Sequence, residues 1–193
     1  METLTIPELE RLAEEKLSKK RFKHVVNVKN QAVSLGKKYK ENLEKCQIAA
    51  LLHDITKELT FDNQLQMILQ SDIMSNDIII KSAQLYHAVT GTIYAKETLH
   101  IEDEDILNAI KYHTTARANM SKLEKIIYIA DATSADRKYK EVERFRELSF
   151  VDLDLCMLEI IRHTIRYLVK DGCLIPADTL NAYNELTMKQ KRV

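Results

Sequence analysis

An all-α fold is predicted by three features of the 193-residue sequence. Only three glycines (Gly36, Gly91, Gly172) and two prolines (Pro7, Pro176) punctuate it, too few for the turns an all-β chain needs every ten residues or so. Apolar residues recur at helical spacing, first in Leu9, Leu12, Ala13 and Leu17, then in Ile48, Ala49, Leu51, Leu52 and Ile55. Strict alternation of apolar and polar residues, the mark of a half-buried strand, is hard to find.

The first helix is predicted to begin near Thr5, with Pro7 in its first turn and Glu8 three residues on in a capping-box arrangement. A second runs from about Lys19 to Lys40. A third, from Asn42 to Thr56, is strongly apolar in its second half. A short fourth covers Phe61 to Gln70, after a turn at Lys57 to Thr60, with Thr60 or Asp62 as its cap. Further segments are Ala83 to His100, Glu102 to Tyr112, Ser121 to Ala132, Val142 to Glu147, Val151 to Lys170 and Thr179 to Glu185. No internal repeat and no Pro-, Gly- or Ser-rich linker divides the chain, so a single domain over 1–193 is expected. The basic tail Lys189-Gln190-Lys191-Arg192 reads as a frayed, solvated end.

Composition bounds the function classes. Hydrophobic residues at 45% and charged residues at 30% describe an ordinary globular chain and exclude disorder or a fibrous repeat. Lys plus Arg and Asp plus Glu both number 29, a net charge of zero, which argues against nucleic-acid binding through a broad basic field. Any phosphate recognition must be local. Cys46, Cys156 and Cys173 are far apart, and an odd count cannot form a complete set of internal disulfides, so a reducing cytoplasm is expected. The N-terminal stretch METLTIPELERLAEEK lacks the apolar core of a signal peptide. Apolar runs such as Ile78-Ile79-Ile80 are too short to cross a bilayer, so neither export nor a membrane partner is expected.

The informative segment is AALLHDITKE, where an apolar helix delivers adjacent His53 and Asp54 near its end. Neighbouring helical residues project about 100° apart, so one site between helices can receive both an imidazole and a carboxylate. Together these donors suit iron, manganese or zinc, whereas oxygen alone would point to magnesium or calcium. The plainer reading of the pair is a capping Asp beside a packed His. Two further residues tip the balance: His24, upstream in RFKHVVNV, and Asp131, at the end of the apolar stretch KIIYIAD. A carboxylate dropped there is costly unless paired or metal-bound.

The order His24, His53-Asp54, Asp131 resembles the H…HD…D signature of the HD-domain phosphohydrolase superfamily, helical enzymes that hold one or two metals and cleave phosphate esters or anhydrides. Further segments are similar to the YqeK branch of that superfamily: Arg21 to Val25, Ala49 to Lys57, Leu85 to Gly91, Tyr112 to Thr115, Ala130-Asp131 with Arg137, and Leu174-Ile175-Pro176 with Ala182-Tyr183-Asn184. The similarity spans nearly the whole chain. It implies a compact HD-domain helical bundle, with a core over about 19–140 and C-terminal helices completing a nucleotide pocket. It implies the activity of that branch, the iron-dependent splitting of diadenosine tetraphosphate into two ADP. Carried over residue by residue, it implies iron ligands His24, His53, Asp54 and Asp131. It implies ADP contacts from Arg21, Lys57, His87, His113 and Arg137, with Ile175 and Pro176 against the nucleotide. The catalytic set is then His53, Asp54, His87, His113 and Asp131, with His24, Asp54 and Asp131 also facing substrate. Lys23 and Asn27 receive no role, and the oligomeric state, a homodimer included, stays open.

The chemistry of these types fits that assignment. A cation with an open coordination position lowers the pKa of bound water toward neutrality, and Lys57, Arg137 and Arg21 can neutralise a polyphosphate. Taken singly, each basic residue reads more readily as part of a solvated face. His87 and His113 are read as phosphate contacts or proton carriers, with a second metal and a packed core as alternatives. His100 and His163 are read as surface or packing residues, and Asp136 as a cap or nucleotide contact outside the site. Thr133 and Ser134 are candidates to hold the Asp131 carboxylate or a phosphate. The competing functions are an HD-domain hydrolase of another nucleotide and a non-catalytic helical binding module.

Overall fold

The computed structural model describes residues 4–72 and 81–190, and among them ten α-helices and no strand. Ile78-Ile79-Ile80 and the tail residues Lys191 and Arg192 lie outside the described residues. In chain order the helices are α1 (Ile6–Lys16), α2 (Lys19–Tyr39), α3 (Leu43–Leu52), α4 (Phe61–Gln70), α5 (Tyr86–Ile93), α6 (Glu104–Lys111), α7 (Lys122–Thr133), α8 (Val142–Ser149), α9 (Leu153–Lys170) and α10 (Ala177–Gln190). No described helix is long and apolar enough to cross a membrane.

Most helices start where a short polar side chain satisfies the free amides of the first turn. The Glu8 carboxylate accepts from Thr5 N and Oγ1 at 2.8 and 2.7 Å, the reciprocal arrangement expected from the sequence. Asn42 accepts from Glu44 N and Lys45 N, Thr60 from Asn63 N, Asp103 from Asp105 N and Ile106 N, and Asp152 from Leu155 N. Ser121 and Glu124 form a second capping box at the start of α7. Ser18 caps α2 and also donates its Oγ to Glu58 Oε1 at 2.7 Å, tying the first turn of α2 to the segment that follows α3.

At the centre, α2 packs on both α3 and α7, and α6 closes against α3 and α7. Helix α3 is surrounded: Cys46, Ile48, Ala49, Ala50, Leu51 and Leu52 are all buried. Each such leucine contributes about 1.5–3 kcal/mol by leaving water. Helix α9 covers α7 and carries α8 and α10 on its outer side. Ile68 of α4 joins Tyr86, Val89 and Ile93 of α5 in a smaller cluster at the edge.

Three boundaries differ from the expectation. The third helix stops at Leu52 rather than Thr56, because the chain tightens into successive turns: Ile55 N donates to Leu52 O, Lys57 N to Asp54 O and Leu59 N to Thr56 O. The stretch expected as one helix over Ala83 to His100 is a 3₁₀ turn (Ala83–Leu85), α5, and a wider π turn (Tyr94–Thr98). His100 then adopts a left-handed backbone, φ 55°, which ends it. The last helix is longer than expected, and begins directly after Pro176.

One glycine governs how close α5 comes to the turn after α3. A Cβ on Gly91 would lie 3.3 Å from Ile110 Cγ2 and 3.5 Å from the carbonyl oxygens of Leu52 and His53. Its absence lets α5 lie directly behind the His53-Asp54 turn, which brings His87 to the same interior.

Candidate metal centre

Five separate parts of the chain converge on one point. His24 comes from the first half of α2, His53 and Asp54 from the turn ending α3, and His87 from the start of α5. His113 follows α6, and Asp131 sits in the last turn of α7. His24, His53, Asp54, His87 and His113 are all buried. One ligand atom each from His24, His53 and Asp131 lie within 4.8 Å of one another, and so do one each from His53, Asp54 and His113.

The hydrogen bonds fix which ring nitrogens face inward. His53 Nδ1 donates to Ala50 O at 2.7 Å, and His113 Nδ1 donates to Ile110 O at 2.7 Å. With the proton held on Nδ1, each Nε2 turns its lone pair to the interior. His53 Nε2 is buried without a hydrogen-bond partner and lies 3.6 Å from Asp54 Oδ2. His24 is arranged likewise: Nδ1 donates to Asp136 Oδ2 at 2.8 Å, while Nε2 faces Asp131 Oδ1 at 3.0 Å.

Two acceptor lone pairs at that distance, inside a protein, repel unless something positive lies between them. A buried acceptor left unmet costs about 1–3 kcal/mol. A second proton on His24 is one remedy: burial pushes its pKa down, but the Asp131 and Asp136 carboxylates outweigh burial and carry it above the usual imidazole value. A divalent cation is the other remedy, and it answers the orphaned Nε2 of His53 at the same time. Imidazole nitrogen with carboxylate oxygen is a donor set suited to a divalent first-row metal.

The surrounding charges point the same way. Burial pushes the Asp54 carboxyl up, yet the imidazoles of His53, His87 and His113 outweigh it and hold the pKa below the ordinary carboxylate range. Asp131 is held down by His24 and Arg137 against the same burial. Burial and the neighbouring His113 push His87 well below a normal imidazole, and burial with His53 takes His113 down to about 4. Both rings are therefore neutral near pH 7. Lys57 Nζ lies 2.9 Å from His87 Nδ1, and His87 Nε2 lies 3.1 Å from His113 Nε2, a short relay ending at the Ile110 carbonyl.

The basic residues named from the sequence are gathered here as well. Arg21 Nη1 donates to Asp54 Oδ2 at 2.7 Å, and Arg137 binds Asp131 through both its carboxylate and, at 2.9 Å, its carbonyl oxygen. Ile175 is half-buried and stands apart from the cluster. Its neighbours Leu174 and Pro176 line a cavity of about 420 Å³ together with Leu85, Thr114, Thr115, Thr164 and Tyr167. Leu85, Thr114 and Thr115 of its wall are close chain neighbours of His87 and His113. Thr179 Oγ1 donates to Thr115 O at 2.7 Å, fastening α10 to the cavity wall.

His100 is exposed, and His163 stacks on Tyr139 with ring centroids 5.2 Å apart, the packing role expected of it. Ser134 Oγ donates to the carbonyl of Asp131, and Thr133 Oγ1 to Ile129 O. Two residues left without a site role by the sequence have one in the structure: Asn27 Nδ2 donates to Asp136 Oδ1 at 3.0 Å, and Asp136 holds His24. The signal for Asn27 was its position three residues after His24, on the same face of α2. For Asp136 no local signal exists, since its partners lie 109 and 112 residues away.

The HD domain family model matches residues 21–136, a span that runs from Arg21 through every residue of this cluster to Asp136. The chain belongs to the HD-domain family. HD-domain relatives cover nearly all of it. A protein of Halalkalibacterium halodurans named symmetrical bis(5′-nucleosyl)-tetraphosphatase is 37% identical over 91% of this chain and 93% of its own. A protein of the same name from Staphylococcus aureus is 30% identical over 98% of each chain. A crystal structure from Clostridium acetobutylicum, described as a predicted HD superfamily hydrolase involved in NAD metabolism, superposes with a TM-score of 0.93 at 35% identity. It covers 97% of this HD-domain chain and 100% of its own.

Proposed function

We propose that this HD-domain protein is a metal-dependent symmetrical bis(5′-nucleosyl)-tetraphosphatase that hydrolyses diadenosine tetraphosphate to two ADP. The observation that carries the reading is the pair of buried, unpartnered Nε2 atoms of His24 and His53, set against the Asp131 and Asp54 carboxylates. Relatives of that name, similar along nearly the full length, support the substrate class.

His24, His53, Asp54 and Asp131 hold the cation, and a bound cation there supplies Lewis acidity and a water of lowered pKa. Iron is assigned on the resemblance to the YqeK branch, while manganese or zinc suit the same donors. In the net reaction the water oxygen bonds to one of the two central phosphorus atoms. The bridging bond to the other half breaks, and the bridging oxygen leaves with the second ADP. The chain's part is positional and electrostatic. Arg21 and Arg137, already seated on Asp54 and Asp131, extend positive charge toward the substrate's phosphates, and the Lys57 ammonium adds a point charge. Neutral His87 and His113 contact phosphate oxygens and pass protons along the Lys57–His87–His113 relay. The cavity walled by their chain neighbours, and in part by helices beyond residue 140, receives a nucleoside half near Ile175. Three free cysteines suit a reducing cytoplasm.

Iron-loaded or manganese-loaded protein incubated with diadenosine tetraphosphate is expected to release two ADP and little AMP plus ATP. Turnover of mononucleotides instead would transfer the site to another HD-domain substrate, and no turnover with either metal would refute the hydrolase reading.

A further inference from the structure

We propose that Asp136, braced by Asn27, is the positioning residue that sets His24 for cation binding and makes it the strongest imidazole donor of the site.

The geometry is that of a carboxylate placed behind a ligand ring. Asp136 Oδ2 accepts from His24 Nδ1 at 2.8 Å, and Asp136 Oδ1 accepts from Asn27 Nδ2 at 3.0 Å, so both oxygens are engaged. Asn27 lies one helical turn beyond His24 on α2, which keeps the amide and the imidazole on one face. Asp136 is held from its own side too. Its turn closes with Arg137 N donating to Ser134 O at 3.0 Å. Arg146, reaching over from α8, donates to the carbonyls of Thr133, Ser134 and Arg137 at 2.9, 2.6 and 3.0 Å. The carboxylate is therefore set before any ligand arrives.

A charged acceptor at Nδ1 does two things to the ring. It fixes the proton on Nδ1, leaving Nε2 as a lone pair aimed at Asp131, and it raises the electron-donating strength of that Nε2. Among the described imidazoles of the cluster, His53 and His113 give their Nδ1 protons to neutral main-chain carbonyls, Ala50 and Ile110. His24 alone of these three has an anion behind it. Asp136 meets the ring at the nitrogen turned away from Asp131, so it acts on the site through His24.

This inference rests on the metal-site reading above, and the test separates the two. Cation-free wild type, Asp136→Asn and Asp136→Ala are titrated with Mn²⁺ and with Co²⁺ against a competing chelator, and the visible bands of the Co²⁺ forms are recorded. Wild type is expected to bind, and Asp136→Ala to bind about 10–100-fold more weakly. Asp136→Asn, which keeps the shape without the charge, is expected to recover only part of the loss. At saturating metal the KM for substrate is expected to stay within about twofold while kcat falls, with shifted Co²⁺ bands, a pattern that lost folding alone would not give. No binding by wild type refutes the metal site itself. Binding by wild type and Asp136→Ala with equal affinity, or full recovery in Asp136→Asn, overturns the role of Asp136.

Discussion

His53→Ala or Asp54→Ala is expected to remove the bound cation and with it more than about a thousandfold of kcat, because a metal supplies several kcal/mol of charge stabilisation and each 1.4 kcal/mol is tenfold. Asp54 is the most connected group of the site. Its Oδ1 lies 3.3 Å from His87 Nε2 and 3.8 Å from His113 Nε2, while its Oδ2 meets Arg21 at 2.7 Å and lies 3.6 Å from His53 Nε2. Losing it leaves the Arg21 guanidinium without its acceptor and unbalances the imidazoles. His53 brings one buried, unpartnered nitrogen to the interior, and its other ring nitrogen bonds back to Ala50 O at 2.7 Å. His100→Ala, at an exposed position that bonds to none of the cluster residues described, is expected to leave metal content and activity near those of the wild type. Metal content by elemental analysis and product formation on the same samples check all three, and equal loss in all of them would undo the assignment.

Stripping the metal is the second large effect. A ligand that binds only the folded state stabilises it by about 4 kcal/mol at a thousandfold excess over its Kd. For a domain of this size that corresponds to roughly 8–16 °C in Tm. The physical source lies in the site: without a cation, His24 Nε2 faces Asp131 Oδ1 at 3.0 Å and the Asp54 and Asp131 carboxylates share one interior. Thermal melts with and without a chelator, followed by re-addition of Mn²⁺, are expected to show the fall and its reversal. A helical binding module with a purely structural polar cluster would show no change.

Much of this was legible in the sequence because it depends on short-range rules. The helices of the core follow from apolar spacing, and two of their starts from the caps at Thr5 with Glu8 and at Thr60. The order of His24, His53-Asp54 and Asp131 pointed to the candidate metal centre, and the structure brings these side chains together. What stayed hidden depends on contacts between distant segments. The early end of α3 follows from His53 bonding back to Ala50 and Thr56 bonding across to His87 and Thr90, neither visible in local propensity. The 83–100 segment divides into three helical forms, and nothing in its local apolar spacing marks the changes at Tyr86 and Tyr94. Buried Glu124, not singled out from the sequence, both closes the capping box with Ser121 and pairs with Arg117 at 2.6 Å. Asp136 read as a cap or a nucleotide contact, and only the approach of α2 to the end of α7 gives it His24 as a partner.

Anomalous diffraction at the iron or manganese edge, from crystals of metal-loaded protein, tests the central claim most directly. The account expects a peak about 2.0–2.2 Å from His24 Nε2, His53 Nε2 and oxygens of Asp54 and Asp131, with a coordination position left for water. A peak elsewhere, or no peak with Asp131 turned away from His53, would contradict it.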